Sequence, residues 1–134
     1  MDHADTVRGF YAAINAGDLD GFGAMLADDF VEHEETPGLA PTKAGVLEFF
    51  RMYRAAFPDL HMEPQDVLPS GDKVVARVQA TGTHQGEFMG VAATGKTVEV
   101  ESIDIIRLED GRVAEHWGVT DTMSLMQQIG AIPG

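Results

Sequence analysis

The spacing of apolar residues changes from a helical period to a strand period near residue 60, and this change constrains the fold most strongly. In the first part, apolar side chains recur three or four positions apart in residues 6–16, 19–26 and 42–57. In the second part, apolar and polar side chains alternate in residues 61–68, 73–84, 97–108 and 112–120. Helices followed by strands indicate an α+β fold with a mostly antiparallel sheet. The twist of such a sheet curls it over a helix and encloses a cavity.

Residues that favour helix ends mark the remaining boundaries. Asp5, Asp18 and Thr42 can each accept a hydrogen bond from the first turn of a helix. We also expect a short strand at residues 30–33 and a short C-terminal helix at residues 121–129. No repeat or linker interrupts the chain, so the sequence predicts one domain that spans residues 1–134.

Composition argues against several classes of partner. The formal net charge is −13, which disfavours binding to nucleic acid or to an anionic membrane surface. The chain has no cysteine, so neither a disulfide nor a thiolate metal site can form. No stretch approaches the ~20 apolar residues of a membrane span, and no leader pattern begins the sequence. We therefore expect a cytoplasmic protein with no nucleic-acid or membrane partner.

Motifs of metal and cofactor sites are missing as well. His33-Glu34-Glu35 offers ligand types without an established metal-binding spacing. The glycines of residues 85–96 do not form a dinucleotide-binding or phosphate-binding fingerprint. The sequence therefore predicts neither a metal nor a cofactor.

Two carboxylates interrupt apolar strand faces. Asp104 lies in the middle of an apolar row within residues 97–108. Alternation along the last strand places Glu115, Trp117 and Asp121 together on one inward face. A carboxylate on a core face must find partners or take up a proton, because desolvation disfavours its charged form. Asp104 and Asp121 are therefore candidate general acid/base groups.

Two histidines are further candidates, and several large side chains are expected to form a substrate pocket. His84 ends the buried face of residues 73–84, and His33 lies on the predicted short strand. His116 falls on the opposite face of its strand and is expected at the surface. The expected pocket residues are His33, Trp117, Phe50, Phe88, Met89, Tyr11 and Glu115.

Each candidate also has a purely structural explanation. Asp121 directly precedes the last predicted helix and can be its N-cap, a position that aspartate strongly favours. Asp104 can pair with a backbone amide or an arginine. His84 can be a hydrogen-bonded loop histidine, and the apolar pocket residues can be plain core. The residues alone leave these alternatives open.

Several motifs resemble the SnoaL-like polyketide cyclase family. The resemblance is carried by GTHQGEFMGV at residues 82–91, IDIIR at residues 103–107 and EDGRVAEHW at residues 109–117. Asp121, with Gln127-Gln128-Ile129-Gly130 behind it, completes the pattern. The similarity extends over nearly the whole chain.

The resemblance implies a fold and a reaction. The family has a cone-shaped, nuclear-transport-factor-2-like fold, in which a curved mixed sheet wraps three helices. Its characterised members close a ring of an aromatic polyketide by intramolecular aldol condensation, without metal or cofactor. The catalytic aspartate of the family falls on Asp121, and a second pocket position falls on Asp104. The family analogy also implies a homodimer.

The resulting hypothesis is an aldol-type cyclase that acts on a small, apolar, polyketide-like ketone or ester. Asp121 would take a proton from a carbon between two carbonyl groups and return it to the new alkoxide. His84, His33 and Asp104 would orient the substrate or polarise its carbonyl. Two alternatives are a ligand-binding protein without catalytic activity and another lyase or isomerase on the same scaffold.

Overall fold

A computed structural model describes residues 2–133. The first half contains three helices and one strand: α1 (His3–Ala16), α2 (Leu19–Ala24), β1 (Leu26–Glu32) and α3 (Lys43–Ala56). The second half contains four strands and a helix: β2 (His61–Ser70), β3 (Lys73–Thr83), β4 (Thr97–Glu109), β5 (Arg112–Thr120) and α4 (Thr122–Gln128). Within the described residues, no helix combines the length and the apolar character that crossing a bilayer requires.

The five strands form one open, mixed sheet in the order β1-β5-β4-β3-β2. β1 runs parallel to β5, and the other neighbouring strands are antiparallel. One face of the sheet carries the apolar rows and is covered by the helices, with Val74 and Ile106 fully buried there. This arrangement confirms the predicted α+β fold, in which three N-terminal helices and a short C-terminal helix pack against a curved sheet.

Two helix boundaries differ from the sequence prediction. Helix α1 begins at His3, because Asp2 is its N-cap and accepts a hydrogen bond from the backbone amide of Asp5. Asp5 is therefore a residue of the first turn, and its predicted role as the cap is wrong. Helix α2 ends at Ala24, and Leu26 already belongs to β1. The apolar spacing continues across this boundary because the first residue of the strand is buried against the same core.

Other element ends agree with the prediction or extend it. The caps predicted at Asp18 and Thr42 are confirmed, since each side chain accepts a hydrogen bond from the first turn of its helix. The predicted strand at residues 30–33 is longer than expected, because β1 starts at residue 26. The short C-terminal helix is present as α4.

A β-bulge in β5 decides which side chains of this strand face the helices. Arg107 of β4 pairs with Glu115, but the next residue of β4, Leu108, pairs with Val113. Ala114 is therefore an extra residue in β5, and the alternation is inverted after it. As a consequence, three residues of β5 face inward: His116, Gly118 and Thr120. Glu115 and Trp117 face outward.

Candidate functional site

A cavity of about 320 Å³ lies between the inner face of the sheet and helices α1 and α3. Its wall is mainly apolar and aromatic, and includes Phe10, Ile14, Phe22, Phe30, Tyr53 and Val100. Several polar groups of the lining lie close together where β4, β5 and the segment after β1 meet: Glu34, Asp104, His116 and Thr120. A largely apolar cavity with a few convergent polar groups is the usual form of a small-molecule site.

Asp104 is the central polar group of this cavity. It lies on the inner face of β4 and is only 5% exposed. The hydroxyl of Tyr11 donates a hydrogen bond of 2.6 Å to its Oδ2 atom, and Nε2 of His116 lies 2.9 Å from its Oδ1 atom. Each carboxylate oxygen therefore has its own partner, one from a helix and one from the sheet.

His116 links two carboxylates of the cavity, and the prediction that it lies at the surface is wrong. Its Nδ1 atom lies 2.5 Å from Oε1 of Glu32, and its Nε2 atom contacts Asp104. Burial alone would lower the pKa of His116, but hydrogen bonds to Asp104 and Glu32 and the charges of both outweigh burial and raise this pKa to about 10. The ring is therefore an imidazolium at neutral pH and donates from both nitrogens.

Glu34 adds another carboxyl group to the same region. The backbone amide of His33 donates to the carbonyl oxygen of His116, which extends the parallel pairing and directs Glu34 inward. The hydroxyl of Thr120 donates a hydrogen bond of 2.9 Å to Oε2 of Glu34. Burial raises the pKa of Glu34, and this effect exceeds the opposing effects of the Thr120 hydrogen bond and the His116 charge.

Gly118 provides the space in which these groups meet. It lies opposite Asp104 in the antiparallel pairing of β4 and β5. A Cβ atom at this position would overlap Oε1 of Glu34 and would lie 2.7 Å from Oδ1 of Asp104. Any larger residue would therefore displace one of the two carboxyl groups.

Three of these side chains also have the composition of a metal site. Glu34, Asp104 and His116 each offer one ligand atom, and these atoms lie within 4.8 Å of one another. However, both nitrogens of His116 make hydrogen bonds to carboxylates, and its pKa is raised to about 10. A metal ligand must be the neutral imidazole, so a cation would have to displace a proton that this arrangement stabilises.

Five of the residues predicted from the sequence line the cavity. They are Tyr11, Phe50, Phe88, Met89 and Asp104. Met89 occupies a tight turn closed by pairing between Phe88 and Val91, in which Met89 and Gly90 both have positive φ angles. This turn places the half-exposed side chain of Met89 in the cavity lining.

Asp121 lies outside the cavity lining, and this corrects its predicted placement. Its side chain is the N-cap of α4 and accepts a hydrogen bond of 3.1 Å from the backbone amide of Ser124. The residue is exposed to solvent. The helix therefore uses this carboxylate to satisfy its own first turn, which is the structural alternative that the sequence left open.

His84 is also placed differently from the prediction. It is fully buried, but it does not belong to the lining around Asp104. Its ring stacks on Phe57, and its Nδ1 atom lies 2.9 Å from the hydroxyl of Thr94. Backbone hydrogen bonds join His84 to Gly95 and Lys96, so the residue secures the base of the loop that carries Met89.

Three predicted pocket residues lie on the outer face of the sheet instead. His33 stacks on Trp117 with ring centroids 4.7 Å apart, and its Nε2 atom lies 2.7 Å from Glu115. Glu115 also accepts a hydrogen bond from Arg107, and these two hydrogen bonds lower the pKa of Glu115. For Glu115 and Trp117 the reason is the bulge at Ala114, which turns both side chains away from the helices.

The sequence analysis does not identify five residues as members of this site. They are Glu32, Glu34, His116, Gly118 and Thr120. A signal for the first two is present, because residues 30, 32 and 34 alternate and the first of them is apolar. The other three carry no such signal, because the bulge inverts their strand face.

An α+β fold whose curved sheet and helices form a mainly apolar cavity is suited to binding a small molecule, and comparison with known proteins gives its family. A family model described as SnoaL-like polyketide cyclase matches residues 4–129. The chain therefore belongs to the SnoaL-like polyketide cyclase family, as the sequence motifs predicted, and is an enzyme of the cyclase class.

Individual relatives support this assignment. The chain is 26% identical over 129 residues to the aklanonic acid methyl ester cyclase DnrD of Streptomyces peucetius, and the match covers 94% of this chain and 89% of DnrD. Among solved structures, TsrD from Streptomyces laurentii has a TM-score of 0.88 and 30% identity, with coverage of 98% of this chain and 99% of TsrD. IdmH from Streptomyces antibioticus, a putative polyketide cyclase, has a TM-score of 0.84 and 36% identity, with coverage of 96% of this chain and 99% of IdmH.

Proposed function

We propose that the protein catalyses an intramolecular aldol-type ring closure of a polyketide-like substrate in its central cavity, with Asp104 as the general base. Asp104 accepts a proton from a carbon between two carbonyl groups, and the resulting enolate carbon attacks a ketone of the same molecule. One carbon–carbon bond forms, and the ketone oxygen becomes an alkoxide that takes up a proton. The reaction is an isomerisation, so no oxidant, reductant or further reactant is required.

The observation that carries this proposal is the position of Asp104 in an apolar cavity, held by two donors. Tyr11 binds Oδ2 and His116 binds Oδ1, and each carboxylate oxygen has a second lone pair. The carboxylate can therefore keep its orientation while it accepts a proton. A carbon between two carbonyls is already acidic, so a well-placed carboxylate is an adequate base.

The charge of the cavity lining favours a neutral substrate. The lining contains four acidic residues, one histidine and, within the described residues, neither lysine nor arginine. The acidic residues are Glu32, Glu34, Glu35 and Asp104. An anionic substrate would be repelled by this lining, whereas an ester would not. The relative DnrD is named for a methyl ester, which supports the same choice of substrate class.

The experiment compares Asp104→Asn with Asp121→Asn, using aklanonic acid methyl ester as the first substrate. Asp104→Asn is expected to remain folded and to lose turnover by about 100-fold or more. Asp121→Asn is the matched control, because it makes the same chemical change at an exposed helix cap that asparagine also favours. Full turnover in Asp104→Asn would refute the role of Asp104. Saturable binding of this ester without conversion by the wild-type protein would refute the proposed ring closure of this substrate.

A homodimer formed through the outer face of the sheet is part of this proposal. Ile103 and Val119 are neighbours on adjacent strands, and are 42% and 75% exposed. Val119→Glu is expected to convert a dimer into a monomer in light scattering, whereas Met52→Glu, on helix α3, is expected to have no effect. The cytoplasmic location and the lack of nucleic-acid and membrane partners remain predictions.

A further inference from the structure

We propose that Glu34 is the acid partner of Asp104, and that the two carboxyl groups share one catalytic proton. In this pair, Asp104 takes the proton from carbon and Glu34 gives a proton to the new alkoxide. The inference rests on the proposed function, since it assigns the second proton transfer of the same reaction.

The first support is the convergence of the two groups over Gly118. Glu34 and Asp104 offer oxygen atoms that lie within 4.8 Å of one another. Oε1 of Glu34 and Oδ1 of Asp104 both border the space that a Cβ atom of Gly118 would fill. Because Gly118 has no side chain, the two carboxyl groups can reach the same region of the cavity.

The second support is that hydrogen bonds give the two groups different environments. Asp104 accepts hydrogen bonds from Tyr11 and from the imidazolium of His116, as an ionised carboxylate does. Glu34 accepts one from Thr120 at Oε2, and within residues 2–133 no other side chain donates to it. Burial raises the pKa of Glu34, which favours the protonated form at this member of the pair. Two carboxyl groups in different environments are the usual basis for separate acid and base roles.

The proton balance closes within the pair. Before the reaction Glu34 holds the proton, and Asp104 is ionised. After ring closure Asp104 holds the proton taken from carbon, and Glu34 has given its own proton to the alkoxide oxygen. Transfer of a proton from Asp104 to Glu34 restores the starting state. The charge of the pair is the same before and after ring closure, which avoids adding a negative charge to two buried carboxyl groups that lie close together.

The pair predicts a dependence of turnover on pH. Loss of the proton from Glu34 leaves the alkoxide without its donor. The value of kcat/KM is therefore expected to fall at a pH above the ordinary range of a glutamate pKa. Charged and titratable groups from five parts of the chain act on or near Glu34: Tyr11 of α1, Glu32 of β1, Tyr53 of α3, Asp104 of β4 and His116 of β5.

The test measures the two proton transfers separately in Glu34→Gln, Asp104→Asn and the control Asp121→Asn. Deuterium exchange at the acidic carbon of methyl benzoylacetate, which cannot cyclise, requires the base alone. Cyclisation of aklanonic acid methyl ester requires both groups. Glutamine resembles the protonated glutamic acid in shape and charge but cannot release a proton.

We expect Glu34→Gln to keep deuterium exchange, to lose cyclisation by about 100-fold or more in kcat, and to lose the alkaline fall in kcat/KM. Undiminished cyclisation in Glu34→Gln would overturn the assignment while leaving Asp104 as the base. An equal loss of exchange and cyclisation in Glu34→Gln would also overturn it, because the residue would then act through Asp104. Full exchange in Asp104→Asn would overturn the proposed function itself.

Discussion

The hydroxyl of Tyr11 donates a hydrogen bond of 2.6 Å to Oδ2 of Asp104, across 93 residues of sequence. It joins the first helix to a central strand of the sheet at the most polar point of the cavity. Burial, together with the charge of Asp104, raises the pKa of Tyr11, so the hydroxyl keeps its proton and remains a donor. The proposed base is thus oriented by the packing of the helix on the sheet.

Replacement of Asp121 is expected to affect stability and not chemistry. Asp121→Ala removes the acceptor of the Ser124 amide, and loss of an N-cap costs about 1 kcal/mol of unfolding free energy. Denaturant unfolding measures this loss, and turnover measured on the same sample is expected to stay at the wild-type level. A loss of turnover comparable to that of Asp104→Asn would show instead that Asp121 takes part in catalysis.

Replacement of Gly118 is expected to separate the two carboxyl groups. In Gly118→Ala the new Cβ atom would lie within 2.7 Å of oxygens of both Glu34 and Asp104. A displacement of about 1 Å in a catalytic group can cost on the order of 100-fold in rate. Gly9→Ala is the matched control, because its Cβ would meet only Met25 at 3.6 Å in the middle of α1. Wild-type turnover in Gly118→Ala would contradict the proposed convergence.

The ion pairs of His116 are expected to make stability depend on pH. The folded-state pKa of about 10 lies above the ordinary histidine value of 6.5, so the folded protein binds this proton more tightly than the unfolded chain. This contribution is fully present below pH 6.5 and is lost as pH rises towards about 10. Denaturant unfolding across this range is expected to show falling stability in the wild type and a flatter dependence in His116→Gln. Equal slopes of stability against pH in the two proteins would show that His116 does not hold its proton more tightly in the folded protein.

The Thr120 hydrogen bond is expected to set the pH at which cyclisation fails. This bond lowers the pKa of Glu34 and partly opposes the effect of burial. Thr120→Val therefore raises the pKa of Glu34 further, and the alkaline fall in kcat/KM is expected to move to higher pH. Thr81→Val, at an exposed position of β3, should leave the profile unchanged. A shift to lower pH in Thr120→Val would contradict this electrostatic account.

The parts of the site that alternation or helical spacing controls can be predicted from the sequence. Asp104 is identifiable because it interrupts an apolar row in a regular strand. Tyr11 is identifiable because its helix buries a face of apolar side chains beside it. The prediction fails for His116, because counting the alternation through Ala114 takes no account of the bulge. A single extra residue inverts every later side chain of a strand.

Local sequence is sufficient for the order of helices and strands, for the α+β class and for a carboxylate on the inner face of β4. These features follow from periodicity and capping, which neighbouring residues in the chain control. Local sequence is not sufficient to show that Trp117 faces outward or that Glu34 meets Asp104 over Gly118. Those outcomes depend on the pairing of β5 with β1 and β4, because strand pairing joins residues that are distant along the chain.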